Sequence, residues 1–400
     1  MTFPAERLGR SCPVLCVILL ATPASADQSV SLDSLQISAG ARVFSQSCLP
    51  CHGANSPSAL DLTDPIELHR KSPTAAKIVR EGVMPPWLPS EMGAPLMHSR
   101  KLSDVDRTAL LEWLDHSGPG KVPATEVLPP PSQNCELIVR VAENWRVGAD
   151  PGLTLRSFAL SRDHAIDRHA AQYFNAVELV ADAPGLVHGI SFLWDELGYG
   201  ARLDASDPAP GYDAVGDIGL NASGSGGGVS RLSTLWRLPK GYAIEIPTDA
   251  VLIAEVHAEG RGKVESPAAT VRFLAPTEPF KPVHAVSVSA ARVAMIATAC
   301  EAVSISIRAG AHVKSIDVFA KDANGHSRCV LNIPRWNEAL SEPWIFDPPL
   351  ALDAGTELFV RSTVNEVAKD TLVDANASAM NQPMIVLLVA DKDADLIREK

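Results

Sequence analysis

The segment SQSCLPCHGANS contains Cys48, Cys51 and His52 within five residues. On a helix, residues three and four positions apart share a face, so both thiols and the imidazole would point to the same side. This CxxCH spacing is typical of covalent haem attachment. The sequence therefore predicts one c-type haem, with Cys48 and Cys51 as its thioether links and His52 as an axial ligand of the iron.

Two other uses of paired cysteines fit this region less well. A structural zinc site needs four ligands, but the neighbouring histidines, His69, His98 and His116, are scattered singly. A redox dithiol occurs more often beside a βαβ pattern, which the segment lacks. The haem interpretation is preferred for these reasons.

The second axial ligand is expected later in the same region. The stretch REGVMPPWLPS contains Met84, whose thioether is a suitable soft ligand for haem iron. Pro85 and Pro86 restrict the backbone beside it. Met92 and Met97 are the alternatives. The sequence favours Met84 because the proline-stiffened chain would hold its side chain in place.

Two helical patterns flank these candidate ligands. SLQISAGARVFSQSC precedes the cysteines with apolar residues at helical spacing. LSDVDRTALLEWLDHSG begins with Ser103 and Asp106 in a near capping box and ends at Gly118 and Pro119. Two helices alone bury little core in fewer than about 100 residues. A large apolar ligand would supply the missing contacts.

The N-terminus and the overall charge indicate where the protein works. Residues 1–26 have a basic start, an apolar run and a small-residue ending at Ala24 to Ala26, which predicts a secretory signal peptide. The run is too short to cross a bilayer, so no membrane span is expected. A periplasmic or secreted protein is predicted. The net charge of −12 disfavours nucleic acid as a partner.

Composition divides the remaining chain. Residues 27–120 are predicted to form a small all-α domain, followed by a Pro-rich linker at 121–133. Short apolar stretches separated by turn residues then predict an all-β region of two tandem sandwiches, 134–279 and 280–400. The fold prediction is therefore a multidomain protein, all-α and then all-β. NASGSGGGVS at 221–230 is expected to be a loop.

Three cysteines remain besides the signal-peptide pair and the motif pair. Cys135, Cys300 and Cys329 permit one disulfide, which an exported protein could form. The sequence does not assign the pairing. Cys300 and Cys329 are the preferred pair because both lie in the C-terminal module.

The N-terminal motifs resemble a known family. CxxCH, GVMPPW and a closing helix with Trp113 resemble a small class I cytochrome c. MPPW followed by LSDVDRTALLEWLDHSGPGK is similar to cytochrome domains that bacteria fuse to copper type II, ascorbate-dependent monooxygenases, the peptidylglycine and dopamine monooxygenase family. The resemblance implies a class I cytochrome domain followed by jelly-roll-like sandwiches.

The resemblance extends loosely into the β region and implies a depleted copper site. His188 stands where the family usually has a His-His pair, and His257 and Glu259 stand where it has His-x-His. Met384 in NQPMIVLLVA matches the methionine ligand, and His312 matches a following histidine-bearing strand. The resemblance implies that one copper site keeps only His188 and that the other keeps His257 and Met384. Glu259, two residues from His257 along a strand, points to the same side and could complete the second site. A carboxylate is a harder ligand and would weaken Cu(I) binding.

Two functions follow from these observations. The first is haem-based electron transfer by an exported cytochrome that docks a redox partner protein. The alternative is a copper-dependent monooxygenase that hydroxylates a small-molecule substrate with electrons delivered through the fused haem. The lost histidines favour the first, and whether the chain is an enzyme stays open.

Overall fold

The structure is a computed structural model that describes most of the chain. The described residues are 32–53, 60–116, 135–150, 152–160, 172–183, 185–213, 224–230, 234–246, 250–290, 292–310, 312–364, 383–390 and 397–399. The predicted signal peptide and the predicted linker lie outside these ranges. Of the described residues, 44% are in strands and 19% are in helices, so this part of the chain is mostly β.

Helices occur mainly before residue 116. Within the described ranges the helices are α1 Leu32–Ser47, α2 Leu49–His52, α3 Pro65–Arg80, α4 Asp104–Asp115 and α5 Tyr199–Ser206, with a short 3₁₀ helix at Glu338–Leu340. Helices α1 and α4 correspond to the two helical patterns of the sequence. The predicted cap of α4 is also confirmed, because the Asp106 amide donates to Ser103 Oγ at 3.0 Å.

Helices α1 and α4 pack closely. The rings of Phe44 and Trp113 have centroids 4.9 Å apart, and both side chains are buried. Gly40 permits this approach, because a Cβ atom at Gly40 would lie 2.3 Å from Trp113 Cβ and 2.4 Å from the Ala109 carbonyl oxygen. The close contact fixes the end of α1, from which the CxxCH segment follows.

Helix α3 was not predicted. Its sequence contains Pro73 and few apolar residues, which hide the helical period. Two signals were present: Asp64 caps the helix by accepting from the Ile66 amide at 2.8 Å, and Pro65 occupies the first turn. The buried residues Leu68, Ala76 and Val79 lie on one face and join the core formed by α1 and α4. This third helix adds core that the two predicted helices lack.

The strands fill the chain from residue 135 onward. Within the described ranges they are β1 Cys135–Val141, β2 Leu153–Leu160, β3 Gln172–Phe174, β4 Ala176–Ala181, β5 Val187–Asp195, β6 Gly224–Ser230, β7 Leu235–Arg237, β8 Tyr242–Ile246, β9 Val251–Glu259, β10 Ala269–Leu274, β11 Lys281–Ser289, β12 Ala294–Ile296, β13 Cys300–Arg308, β14 Val313–Lys321, β15 Ser327–Ile333, β16 Trp344–Leu352, β17 Glu357–Val364, β18 Met384–Ala390 and β19 Ile397–Glu399.

These strands form four sheets. Two are four-stranded, with the orders β1-β10-β4-β7 and β2-β9-β5-β6. A third has six strands in the order β16-β13-β18-β11-β8-β3, and the fourth has five in the order β15-β14-β17-β12-β19. Neighbouring strands are antiparallel except β11 and β8, which pair in parallel, with Lys281 opposite Tyr242. Sequence neighbours are therefore often not sheet neighbours.

The predicted fold class is wrong in its β part. Two tandem sandwiches split at residue 280 would each keep their own strands. Instead, the six-stranded sheet combines β3 and β8 from before that position with β11, β13, β16 and β18 from after it. One hydrophobic core is likewise continuous across it, since Val283, Val303 and Ile345 pack with side chains of the earlier strands. The prediction failed because strands that are distant in sequence pair with each other. Hydrophobic periodicity along the chain does not reveal such pairing.

The all-α N-terminal domain of the prediction is also wrong, because the helical part is not self-contained. The loop before α4 hydrogen-bonds to β strands: the Ser90 amide donates to the Asn332 carbonyl at 2.8 Å, and the Met97 amide donates to the Ile345 carbonyl at 2.8 Å. Leu96 also forms an isolated β-bridge with Phe346. The segment that follows Met84 is thus held by the β region.

The glycine-rich stretch was predicted to be a loop, and this is wrong as well. Gly224–Ser230 forms strand β6 and pairs with β5, with Gly189 opposite Ser230. A Cβ atom at Gly228 would lie 3.0 Å from the Ile190 carbonyl oxygen. The glycines allow a close approach between the two strands.

Candidate functional site

The four predicted haem residues line one cavity in the helical part of the chain. Cys48, Cys51, His52 and Met84 all line one open cavity, whose empty space is about 940 Å³ when the solvent at its mouth is included. Its remaining walls are mainly apolar and include Phe44, Leu62, Val79 and Leu114. Met84 is thus brought to the same cavity as the CxxCH residues.

The short helix α2 positions the CxxCH residues. The Cys51 amide and the His52 amide both donate to the Cys48 carbonyl, at 3.1 and 2.8 Å. This helical turn gives the three side chains the i, i+3 and i+4 spacing that the sequence analysis expected. Helix α1 ends one residue before Cys48, so the packing of α1 on α4 fixes the position of the whole motif.

The imidazole of His52 is held by the backbone. Its Nδ1 atom lies 3.0 Å from the Leu60 carbonyl oxygen. A carbonyl can only accept, so this contact assigns the proton to Nδ1 and leaves the Nε2 lone pair for a metal. The arrangement fits an imidazole that ligates iron through Nε2.

The two thiols of the motif are reduced, and that of Cys48 is in an apolar environment. Burial, together with the neighbouring Cys51, raises the pKa of Cys48 to about 12. A thiol with such a pKa stays protonated at neutral pH, whereas disulfide exchange requires the thiolate. Cys48 and Cys51 are not joined in a disulfide. Within the described residues, no group of three or more His, Cys, Asp or Glu side chains is placed to hold a metal ion.

The structure separates Met84 from its two alternatives. Met84 is half-buried, packs against the helical core and lines the cavity. Met92 is 72% exposed, and Met97 packs instead against a core of the β region. The amides of Val83 and Met84 both donate to the Ile78 carbonyl, at 2.9 and 3.3 Å, so the end of α3 fixes the methionine.

Several cavity residues were missed by the sequence analysis, and two of them come from outside the helices α1 to α4. Arg100 lies in the loop before α4, and Leu340 belongs to the 3₁₀ helix of the β region. Arg100 donates from Nε to the Pro86 carbonyl at 3.0 Å, and its guanidinium lies 5.2 Å from the centroid of the Trp87 ring. No local motif marks either residue, because only the fold brings them to the cavity.

The two histidines predicted as copper ligands each pair with a different glutamate. His188 Nε2 lies 2.6 Å from Glu259 Oε2, and His257 Nε2 lies 2.9 Å from Glu255 Oε1. Met384 is half-buried on β18, opposite Arg308 in the ladder with β13. The sequence analysis did not identify Glu255, which is two residues from His257 along β9. The Nε2 atoms of His188 and His257 are therefore each in contact with a carboxylate. The hypothesis that these residues bind copper stays a prediction.

Glu255 is a buried anion with strong partners. Burial alone would raise its pKa, but the charges of Arg308 and His257 and the hydrogen bond from His257 lower the pKa of Glu255 to about 2. Glu338 lies nearby: burial raises its pKa, and His257 and His312 partly offset this. The face of β9 that carries Glu255 and His257 therefore meets charged residues of the C-terminal strands.

The preferred disulfide between Cys300 and Cys329 is wrong. Cys300 is buried on β13 and Cys329 is half-buried on β15, and neither is bonded to the other. The two strands belong to different sheets. Shared membership of one module did not bring the two thiols together.

Comparison with known proteins adds no family assignment. No protein-family model matches the sequence, and a search of curated proteins finds no match. The resemblance to class I cytochromes and copper monooxygenases therefore stays a prediction. Within the described residues, no helix is both long enough and apolar enough to span a membrane.

Proposed function

We propose that this chain is an exported c-type cytochrome that carries one covalently bound haem and transfers electrons. The observation that carries the proposal is the shared cavity, in which Cys48, Cys51, His52 and Met84 line one space with mostly apolar walls. These four side chains supply both thioether donors and both axial ligands that such a haem needs.

Each residue has a distinct role in this proposal. Cys48 and Cys51 would attach the porphyrin, and His52 would bind the iron through Nε2, while the Leu60 carbonyl holds its Nδ1. Met84 would supply the second protein ligand of the iron, and a thioether would raise the reduction potential relative to a second histidine. The bound haem supplies reversible one-electron chemistry.

The surrounding residues control solvent access. Phe44, Leu62, Val79 and Leu114 give the cavity apolar walls. An apolar shell lowers the local dielectric and excludes water, which favours the less charged state of a metal centre. A porphyrin bound against these walls would add apolar contacts to the helical core, which is small.

The proposal places the protein in the periplasm or outside the cell, with a redox protein as its partner. Covalent haem attachment and the basic, apolar and small-residue pattern of residues 1–26 support export. The alternative, copper-dependent hydroxylation of a small molecule, has less support because His188 and His257 are engaged by Glu259 and Glu255.

A redox titration tests the proposed function. The purified protein should show one reversible one-electron couple, with haem absorption bands that change between the oxidised and reduced forms. A Cys329→Ala variant is a suitable control, because this thiol lies on β15 and outside the cavity lining. Absence of any reversible couple in the haem-replete wild-type protein would reject the proposal.

A further inference from the structure

Residues 85–97 form a strap along the edge of a β sheet. The Ser90 amide donates to the Asn332 carbonyl at 2.8 Å, and the Ala94 amide donates to the Val330 carbonyl at 2.9 Å. Both acceptors belong to β15, which is the edge strand of the five-stranded sheet. These backbone bonds fix the strap against the outer edge of β15.

A side-chain network adds to this contact at one point. Ser90 Oγ donates a short hydrogen bond to Asn332 Oδ1, and Asn332 Nδ2 donates to Asp317 Oδ1 on β14. A carboxylate accepts hydrogen bonds, so Asp317 orients the Asn332 amide and turns its oxygen toward the strap. The Ser90 hydroxyl accepts in turn from the Met92 amide at 3.2 Å. The network therefore joins the strap to two strands of the β region.

The stretch between Met84 and Ser90 is stiff. Three of its five residues are prolines: Pro85, Pro86 and Pro89. A proline ring fixes its own φ angle, so the chain has little freedom there. The other two residues, Trp87 and Leu88, pack against the core of the C-terminal strands. A displacement of Ser90 is therefore passed along the strap to Met84.

The other side of Met84 is held less firmly. Its amide donates to the Ile78 carbonyl at 3.3 Å, which is longer than the roughly 2.7–3.2 Å usual for such bonds. The Val83 amide shares this acceptor at 2.9 Å. The end of α3 thus fixes Val83 better than Met84, and the strap supplies the second point of attachment for the methionine.

We infer that Asn332 of the β region is a positioning residue for Met84, which it holds in place through Ser90 and the strap. This role rests on the proposed function, in which Met84 would be a ligand of the haem iron. It gives the β region a part in the redox site, because a side chain on β15 determines how firmly the methionine is held.

Displacement of Met84 by a competing ligand measures this effect. Imidazole is added in excess to the ferric, haem-loaded full-length protein, and the loss of the weak red band is timed. At saturating imidazole, the rate equals the rate at which Met84 leaves the iron. Ser90→Ala removes one hydrogen bond and should raise this rate about 2- to 10-fold. Asn332→Leu removes both side-chain bonds of the network and should raise it further.

A conservative variant and a control from the same sheet accompany these measurements. Ser90→Thr keeps the hydroxyl and should keep the wild-type rate. Ser315 Oγ and Thr363 Oγ1 lie 2.7 Å apart on β14 and β17, on the opposite side of β15 from the strap. Ser315→Ala also removes one hydroxyl hydrogen bond from this sheet and should match wild type. A general loss of sheet stability would instead raise the rate in both alanine variants.

Hydrogen exchange follows the same contact independently of the haem. In the full-length Asn332→Leu protein, the amides of Val83 and Met84 should exchange faster than in wild type. The amides of α4 should be unchanged, because the packing of Trp113 on Phe44 holds this helix against α1. Unchanged exchange at Val83 and Met84 would overturn the positioning role.

Failure of the positioning role can be distinguished from failure of the proposed function. Wild-type protein without covalent haem would reject the proposed function, and the exchange measurement would still decide whether Asn332 positions Met84. Haem-loaded Ser90→Ala and Asn332→Leu proteins with wild-type displacement rates would overturn the positioning role alone. If Asn332→Leu does not fold, Ser90→Ala and Ser90→Thr decide, and equal rates in these two variants would overturn it.

Discussion

The Nδ1 atom of His52 lies 3.0 Å from the carbonyl oxygen of Leu60, and the Leu62 amide donates back to the His52 carbonyl at 2.7 Å. These two contacts hold the imidazole and its backbone against the same returning segment. The ring orientation is therefore set before any ligand binds. Preorganisation of this kind fixes the tautomer and the ring orientation of a metal-binding histidine.

Replacing Met84 should change the haem spectrum specifically. A thioether bound to ferric haem gives a weak absorption band near the red end of the visible spectrum, so Met84→Ala should abolish it. Met92→Ala and Met97→Ala should retain the band, since Met92 is largely exposed and Met97 packs in the β region. Loss of the band in either of these two variants, with retention in Met84→Ala, would transfer the ligand role.

Gly40→Ala should destabilise the helical part. The added Cβ would lie 2.3 Å from Trp113 Cβ, and such overpacking typically costs about 1–3 kcal/mol. Urea denaturation followed by Trp fluorescence would report the change, with a lower midpoint and an unaltered slope. Gly148→Ala is the control, because nothing lies within 4 Å of its added Cβ. An unchanged midpoint for Gly40→Ala would contradict the close α1–α4 packing.

Glu255→Gln should destabilise the protein in a pH-dependent way. The pKa of Glu255 is lowered from 4.5 to about 2, so its ionised form stabilises the fold above about pH 4.5 and this contribution is lost as pH falls toward 2. At neutral pH the variant should lose about 2–3 kcal/mol. The difference from wild type should shrink as the pH is lowered through this interval.

Glu278→Gln is the control for that measurement. Glu278 pairs with Lys240 at 3.2 Å, but both side chains are more than half exposed, so the loss should be below about 1 kcal/mol. Denaturant titrations of all three proteins at neutral and acidic pH give the comparison. An equal effect of Glu255→Gln at both pH values would refute the ion-pair explanation.

Copper binding should be absent or limited to one weak site. The carboxylates of Glu259 and Glu255 already engage His188 and His257, and a carboxylate is a poor ligand for Cu(I). After copper loading and dialysis, metal analysis should find fewer than two coppers per chain. His257→Ala should remove any copper that remains. Two retained coppers, with oxygen uptake that depends on ascorbate and substrate, would favour the monooxygenase alternative instead.

Local signals predicted the parts of the site that lie close together in sequence. The CxxCH spacing defines one helical turn, and the Ser103 cap and the apolar residues around Trp113 define α4. Met84 was identified because the proline-rich stretch that follows it is unusual. Each of these predictions depends on residues within a few positions of one another, where chain geometry alone restricts the outcome.

The remaining features depend on contacts between distant residues. Pro73 hides α3 in the sequence, although Asp64 and Pro65 mark its start. Arg100 reaches Glu342 only because the loop before α4 docks on β15 and β16. The sharing of strands across residue 280 has the same origin. Long-range pairing is decided by the total packing of the molecule, which no single segment encodes.

Covalent attachment of haem is the central claim, and mass spectrometry of the intact protein tests it most directly. The protein should be produced in cells that mature c-type cytochromes, and its mass measured under denaturing conditions. Wild-type protein and Cys329→Ala should carry the mass of one haem, and Cys48→Ala/Cys51→Ala should carry none. A wild-type chain without the added mass, or a double variant that retains it, would contradict the account.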